Sequence, residues 1–246
     1  MPSVLMSDHP RSDKSTGSSW KRKRGVRGEF TRQSSVSQKL LSHLIINTGM
    51  PESRATGLAG ILIFVGAAQF MLSLLVAEAI RPSYSVSTNY ISDLGVGVSA
   101  PIFNGSIIVL GILLVLAAYL LIRGVDSKLF PLFLLLAGVG AAGVGIFPET
   151  TGTPHLLFSL IAFLFAGISA IYGYRFTTGS LFSYFCIVLG VLSLIALVLY
   201  STGHYGALHR GGMERMIVYP VILWAMGFGG YLQSGAAKAA KGTSSG

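Results

Sequence analysis

Six apolar runs, each close to the length that crosses a bilayer, decide what this chain can fold into. They cover residues 57–80, 102–122, 130–147, 156–174, 181–200 and 214–232. A helix needs about 20 residues to cross the hydrocarbon core. No run carries a charged residue at its centre. A charge there costs about 2.5–3.5 kcal/mol on insertion scales. In lipid the backbone N–H and C=O groups have no water to bond, so a spanning segment is a helix or part of a closed barrel. These runs lack the two-residue alternation of barrel strands. The expected fold is therefore an all-α, polytopic bundle of six transmembrane helices. Composition agrees: 11% of the residues are charged, against about 25% in soluble domains.

Glycine adds detail. The third run contains GVGAAGVG at 138–145. Small residues at such spacing let helices approach closely, so this stretch reads as a packing face. It is not read as a nucleotide loop, because no strand and turn precede it. Small-residue faces also suit a homo-oligomer or a membrane-protein partner. Cys186 lies inside an apolar run and has no second cysteine to pair with.

The net charge is +9, and ten of the eighteen Lys and Arg residues precede residue 55. Residues 1–55 read as a disordered, basic, cytoplasmic tail that buries too little apolar surface to offset chain entropy. Within it, 36–47 spaces Val36, Leu40, Leu44 and Ile45 as a short interfacial helix would. No nucleic-acid motif accompanies the basic residues, so anionic membrane lipids are the expected partner and nucleic acid is not. The first apolar run starts too late and runs too long for a secretory signal, so it is read as a retained helix. Near the membrane, Lys39, Arg54, Arg123, Lys128, Arg175, Lys238 and Lys241 fall on one side. Arg81, Arg210 and Arg215 fall on the other. That excess places both termini in the cytoplasm of a multi-pass cell-membrane protein, with 56–232 as the membrane domain and 233–246 as a cytoplasmic tail.

Leaving the tail aside, the inner loops hold one acid, Asp126, while the other acids and the histidines, Glu78 among them, collect at the outer helix ends and in the outer connections. The first holds NYISDLG at 89–95, with Asn89, Ser92 and Asp93 spaced to share one helical turn. The second, FPETTGTPH at 147–155, is short enough to force antiparallel neighbours and to bring Glu149 near His155. A carboxylate beside an imidazole fixes its tautomer and raises its basicity, as a general base requires. The third, 201–215, holds His204, His209, Glu214 and Arg215. Candidate acid–base residues are thus Asp93, Glu149 and His155. Candidate binding residues are Asn89, Ser92, His204, His209, Glu214 and Arg215. Asp93, Glu149, His155 and Arg215 are expected in one pocket. Whether Asp93 pairs with Arg215 or faces that pocket stays open, with pairing the expectation. No spacing specifies a metal or a cofactor, and none is assigned.

The order and spacing of YS…NYISDLG (84–95), GIFPETTGTPH (145–155) and ERMIVYPVILWAMGFGGYL (214–232) resemble the prokaryotic membrane family catalogued as domain of unknown function 998. The resemblance covers 57–232 and implies a six-helix membrane domain, with no activity to transfer. Locally, ISDLG at 91–95 resembles the ISDTG of the Frag1/DRAM/Sfk1 membrane proteins, with Leu94 in place of threonine. Some of those are linked to lipid remodelling.

Three functions remain open. The first is lipid-headgroup binding or lipid modification at the outer polar cluster. The second is transport or conduction of a small solute, against which stands the lack of ionisable residues at midplane. The third is a non-enzymatic assembly role. Whether the chain is an enzyme is left undecided by the sequence.

Overall fold

The structure, a computed structural model, describes residues 51–125, 127–177 and 179–243. Most of the basic tail, including the 36–47 segment, lies outside the described residues. Among those described, six long helices appear and no strand. They are α1 (Glu52–Ile80), α2 (Ala100–Gly124), α3 (Leu129–Ile146), α4 (Thr153–Tyr172), α5 (Phe182–Ser201) and α6 (His209–Thr243). Each is long and apolar enough to span a membrane, so the chain is a multi-pass membrane protein.

Local chemistry sets the starts. Pro101 and Pro154 sit in the first turns of α2 and α4, where a missing N–H costs no hydrogen bond. Pro51 precedes α1, whose first turn carries Glu52 against the helix dipole. The helices outrun the apolar runs, most of all in α1 and α6. α1 begins at Glu52 rather than near 57, and α6 continues past 232 to Thr243. Hydropathy marks only the part of a helix immersed in hydrocarbon, while the backbone ladder continues through polar flanks.

Helices follow one another around a ring. α1 packs on α2 and α6, α2 on α3, α3 on α4, α4 on α5 and α5 on α6. α4 and α6 touch each other only lightly, and α5 packs against both. Ser193 of α5 donates to the Ile217 carbonyl at 2.7 Å, one turn before Pro220 inside α6.

Lipid is as apolar as leucine, so close contact between helices rather than burial from water holds such a bundle. Glycines make that contact. A Cβ on Gly111 would lie 2.5 Å from the Gly138 carbonyl oxygen, and one on Gly138 would lie 2.8 Å from that of Gly111. Here α2 and α3 meet backbone to backbone. Gly60 and Gly229 repeat the arrangement between α1 and α6, at 2.5 Å in each direction. The 138–145 stretch uses both flanks of α3: Gly138 faces α2, while Gly140 and Gly143 face Ala162 and Phe158 of α4. At one end of the bundle Phe130, Trp224 and Phe228 pack together, with the Trp224 and Phe228 rings 5.2 Å apart. The connections 81–99, 147–152 and 202–208 lie at the other end.

Candidate functional site

The first connection organises itself with its own polar side chains. Asn89 Oδ1 accepts the Ser85 N–H at 3.0 Å, and Asn89 Nδ2 donates to Asp93 Oδ2 at 3.0 Å. The same oxygen accepts the Tyr90 N–H at 2.9 Å. Asp93 therefore ties the chain just ahead of the 3₁₀ turn Ser92–Gly95, as short polar side chains do when they compete with regular structure. Arg81 donates to the carbonyls of Asp93 and Val96.

Arg215 then anchors that loop to the helices. It is 4% exposed. Its Nη2 donates to Glu78 Oε1 of α1 at 2.5 Å and to the Tyr84 hydroxyl at 2.7 Å. Its Nη1 donates to the carbonyls of Val86 at 2.7 Å, Asn89 at 3.3 Å and Gly211 at 3.0 Å. The expected Asp93–Arg215 pair is not formed: the guanidinium goes to Glu78, which projects from the last turn of α1, while Asp93 is held inside its own loop. Glu78 is the partner that sequence reasoning missed. Its signal was an acid in the last turn of an apolar helix, with no base in that turn. Burial pushes the Tyr84 hydroxyl up to about 12, against the lowering pull of Arg215. Tyr84 thus stays neutral, and its hydroxyl donates to the Tyr90 carbonyl at 2.8 Å.

The third connection joins the same assembly. Gly211 N–H donates to the Ser87 carbonyl at 2.9 Å, and Arg210 Nε to the Thr88 carbonyl at 2.7 Å. Gly211 leaves no room for a side chain, since a Cβ would lie 2.1 Å from the Asn89 oxygen. Glu214 Oε2 accepts the Ile91 N–H at 2.6 Å.

The second connection meets the first through its 3₁₀ turn Glu149–Thr151, which touches the turn Ser92–Gly95. Burial, and then the neighbouring Asp93 carboxyl, push Glu149 up to about 7, while Ser92 and Arg210 pull the other way. His155 does not turn to Glu149 as the short connection suggested. Its Nδ1 lies 2.8 Å from the Phe147 carbonyl. A carbonyl only accepts, so Nδ1 carries the proton, and in the neutral ring Nε2 is left as an acceptor. His204 and His209 are exposed and do not join His155; His204 Nδ1 lies 3.0 Å from the Thr202 hydroxyl. Among the described residues no group of three or more His, Cys, Asp or Glu side chains is placed to hold a metal.

Beneath these loops an internal cavity of about 100 Å³ runs between the helices. Ser92, His155 and Glu214 line one end. Below them five of the helices contribute residues, such as the stripes Phe103, Ile107, Leu110 and Leu114 on α2 and Val218, Val221 and Ala225 on α6. These spacings of three and four residues are one face of a helix. The eleven steps of α6 from Glu214 to Ala225 advance about 16 Å along the axis. Trp224 and Leu134 lie at the deep end. Ser159 is the one polar side chain along the walls below the three head-end groups. No α5 residue lines the cavity; α5 closes it from behind the α4–α6 seam.

Of the nine candidate residues, the structure brings Ser92, His155 and Glu214 to the cavity. Asp93 and Glu149 meet above it, Asn89 and Arg215 are spent on holding the loops, and His204 and His209 face outward.

A family model described as "Protein of unknown function (DUF998)" matches residues 64–230, more than half of the chain. No curated protein and no solved structure matches. The chain belongs to the DUF998 family.

Proposed function

We propose, with membership of the DUF998 family as the premise, that this protein binds a membrane amphiphile inside its helix bundle. The polar head rests among Ser92, His155 and Glu214, and the apolar chain runs down the shaft toward Trp224. The observation that carries this reading is the cavity itself, apolar along its walls save for Ser159, with its other polar groups, Ser92, His155 and Glu214, gathered at one end. Binding sites for small molecules have this composition, mostly apolar with a few convergent polar groups. The local likeness of residues 91–95 to the Frag1/DRAM/Sfk1 proteins leans toward lipid as well. Binding is favoured over acid–base chemistry at Asp93, because that carboxyl already serves Asn89 and Tyr90. The excess of Lys and Arg at the opposite end of the bundle supports a polar end that faces away from the cytoplasm of a cell-membrane protein.

Trp224 supplies the test. The chain has two tryptophans, and Trp20→Phe leaves Trp224 alone. An ω-bromoalkanol with a chain of about 15 Å, matched to the ten-residue drop from Glu214 to Trp224, should quench its fluorescence saturably in purified protein. Ala141→Leu, which places a larger side chain in the cavity wall, should abolish the saturable component. Quenching that rises linearly with probe, or that Ala141→Leu leaves intact, would refute an occupant in the shaft.

A further inference from the structure

We infer that the head end of this cavity selects amphiphiles whose head group donates hydrogen bonds, an uncharged hydroxyl or a primary ammonium, and rejects anionic heads such as phosphate or sulfate. The inference rests on the amphiphile-binding reading and adds the chemistry of the ligand to it.

Hydrogen-bond donors and acceptors are unevenly matched at the head end. Glu214 is 4% exposed and lines the cavity. Ile91 N–H occupies its Oε2, and the carboxyl meets no cationic side chain. His155 has committed its Nδ1–H to the Phe147 carbonyl, which leaves Nε2 to accept. The Ser92 hydroxyl works in either sense. Acceptors therefore outnumber donors where a head group would rest.

Cations that could offset an anion are already engaged. Arg215 is paired with Glu78 and spread over loop carbonyls. Arg81 holds the carbonyls of Asp93 and Val96. Arg210 is exposed, bonded to the Thr88 carbonyl and stacked over the Tyr90 ring at 4.9 Å. Arg215, next in the chain, also acts on Glu214, and its guanidinium is already shared with Glu78 and the loop carbonyls; Asp93 and Glu149 act on Glu214 as like charges. An anionic head would enter a desolvated site beside carboxyls whose nearby cation, Arg215, is already engaged, whereas a hydroxyl or ammonium would complete acceptors that otherwise face an apolar shaft.

Three probes of equal chain length separate the cases: an ω-bromoalkanol, an ω-bromoalkylamine and an ω-bromoalkyl sulfate, titrated against Trp224 fluorescence in Trp20→Phe protein at neutral pH. The alcohol and the amine should half-saturate at concentrations about tenfold or more below the sulfate. The order of alcohol and amine then reports whether the natural head is neutral or cationic. Glu214→Gln keeps an acceptor for Ile91 N–H and should bring the sulfate to within about threefold of the alcohol. A sulfate that binds as tightly as the alcohol in the wild type would overturn the inference while leaving the occupied shaft intact. No saturable quenching by any probe would overturn the underlying reading instead. If Glu214→Gln fails to fold, the wild-type ranking alone decides.

Discussion

Arg215→Met removes the cation that joins the first connection to α1 and α6, and its cost can be worked from the contacts. The pair with Glu78 is largely buried, at 5% and 13% side-chain exposure. Breaking such a pair from one side costs about 3–5 kcal/mol, because the surviving charge stays buried without a partner. The variant also strips a donor from the carbonyls of Val86, Asn89 and Gly211. The double variant Glu78→Met/Arg215→Met removes the stranded charge but not those losses. It should recover part of the stability and remain about 2–3 kcal/mol below wild type, at about 1 kcal/mol for each lost bond. Equilibrium unfolding in mixed micelles, read as a double-mutant cycle, measures both quantities. A cost below about 1 kcal/mol for Arg215→Met would refute the anchoring role. Complete recovery in the double variant would reduce Arg215 to a counterion for Glu78.

Glu149 gives a pH dependence of defined sign. Its carboxyl is raised from 4.5 to about 7 in the fold, so the folded state holds the proton more tightly and stability falls as pH rises from about 4.5 to about 7. Glu149→Gln should make thermal stability less steep across that window, and an unchanged slope would count against the burial of Glu149 beside Asp93. Gly111→Val drives a side chain into the Gly138 backbone and should cost about 1–3 kcal/mol or more in unfolding assays. Gly105→Ala has open space around it and should gain up to about 1 kcal/mol. In a Cys186→Ala background, Thr151→Cys should react with an impermeant maleimide added outside intact cells and Lys128→Cys should not; the reverse pattern would invert the orientation.

The fold was legible because hydropathy answers to one physical demand, that lipid-exposed backbone bond itself. The glycine face at 138–145 was legible for a related reason: small residues in an apolar run have little other use. Partners within the polar end were not. Periodicity places Asp93 and Arg215 at the same end but does not say which carboxyl a guanidinium meets. That depended on Glu78 emerging from the last turn of α1 beside the first turns of α6. His155 was misread for a similar reason. A carboxylate six residues away was the visible partner, whereas the Phe147 carbonyl freed at the end of α3 was not, since every residue carries one. The cavity had no signature in sequence, because its walls are ordinary helix faces that fail to meet.

The central claim is that a single-chain amphiphile occupies the shaft beneath Ser92, His155 and Glu214. Native mass spectrometry of protein released from its own membranes in mild detergent tests it most directly. The expected spectrum shows one retained adduct whose fragmentation gives a hydroxyl- or amine-headed chain, absent from Ala141→Leu protein of equal stability. Bare wild-type protein, or the same adducts on wild type and Ala141→Leu, would contradict it.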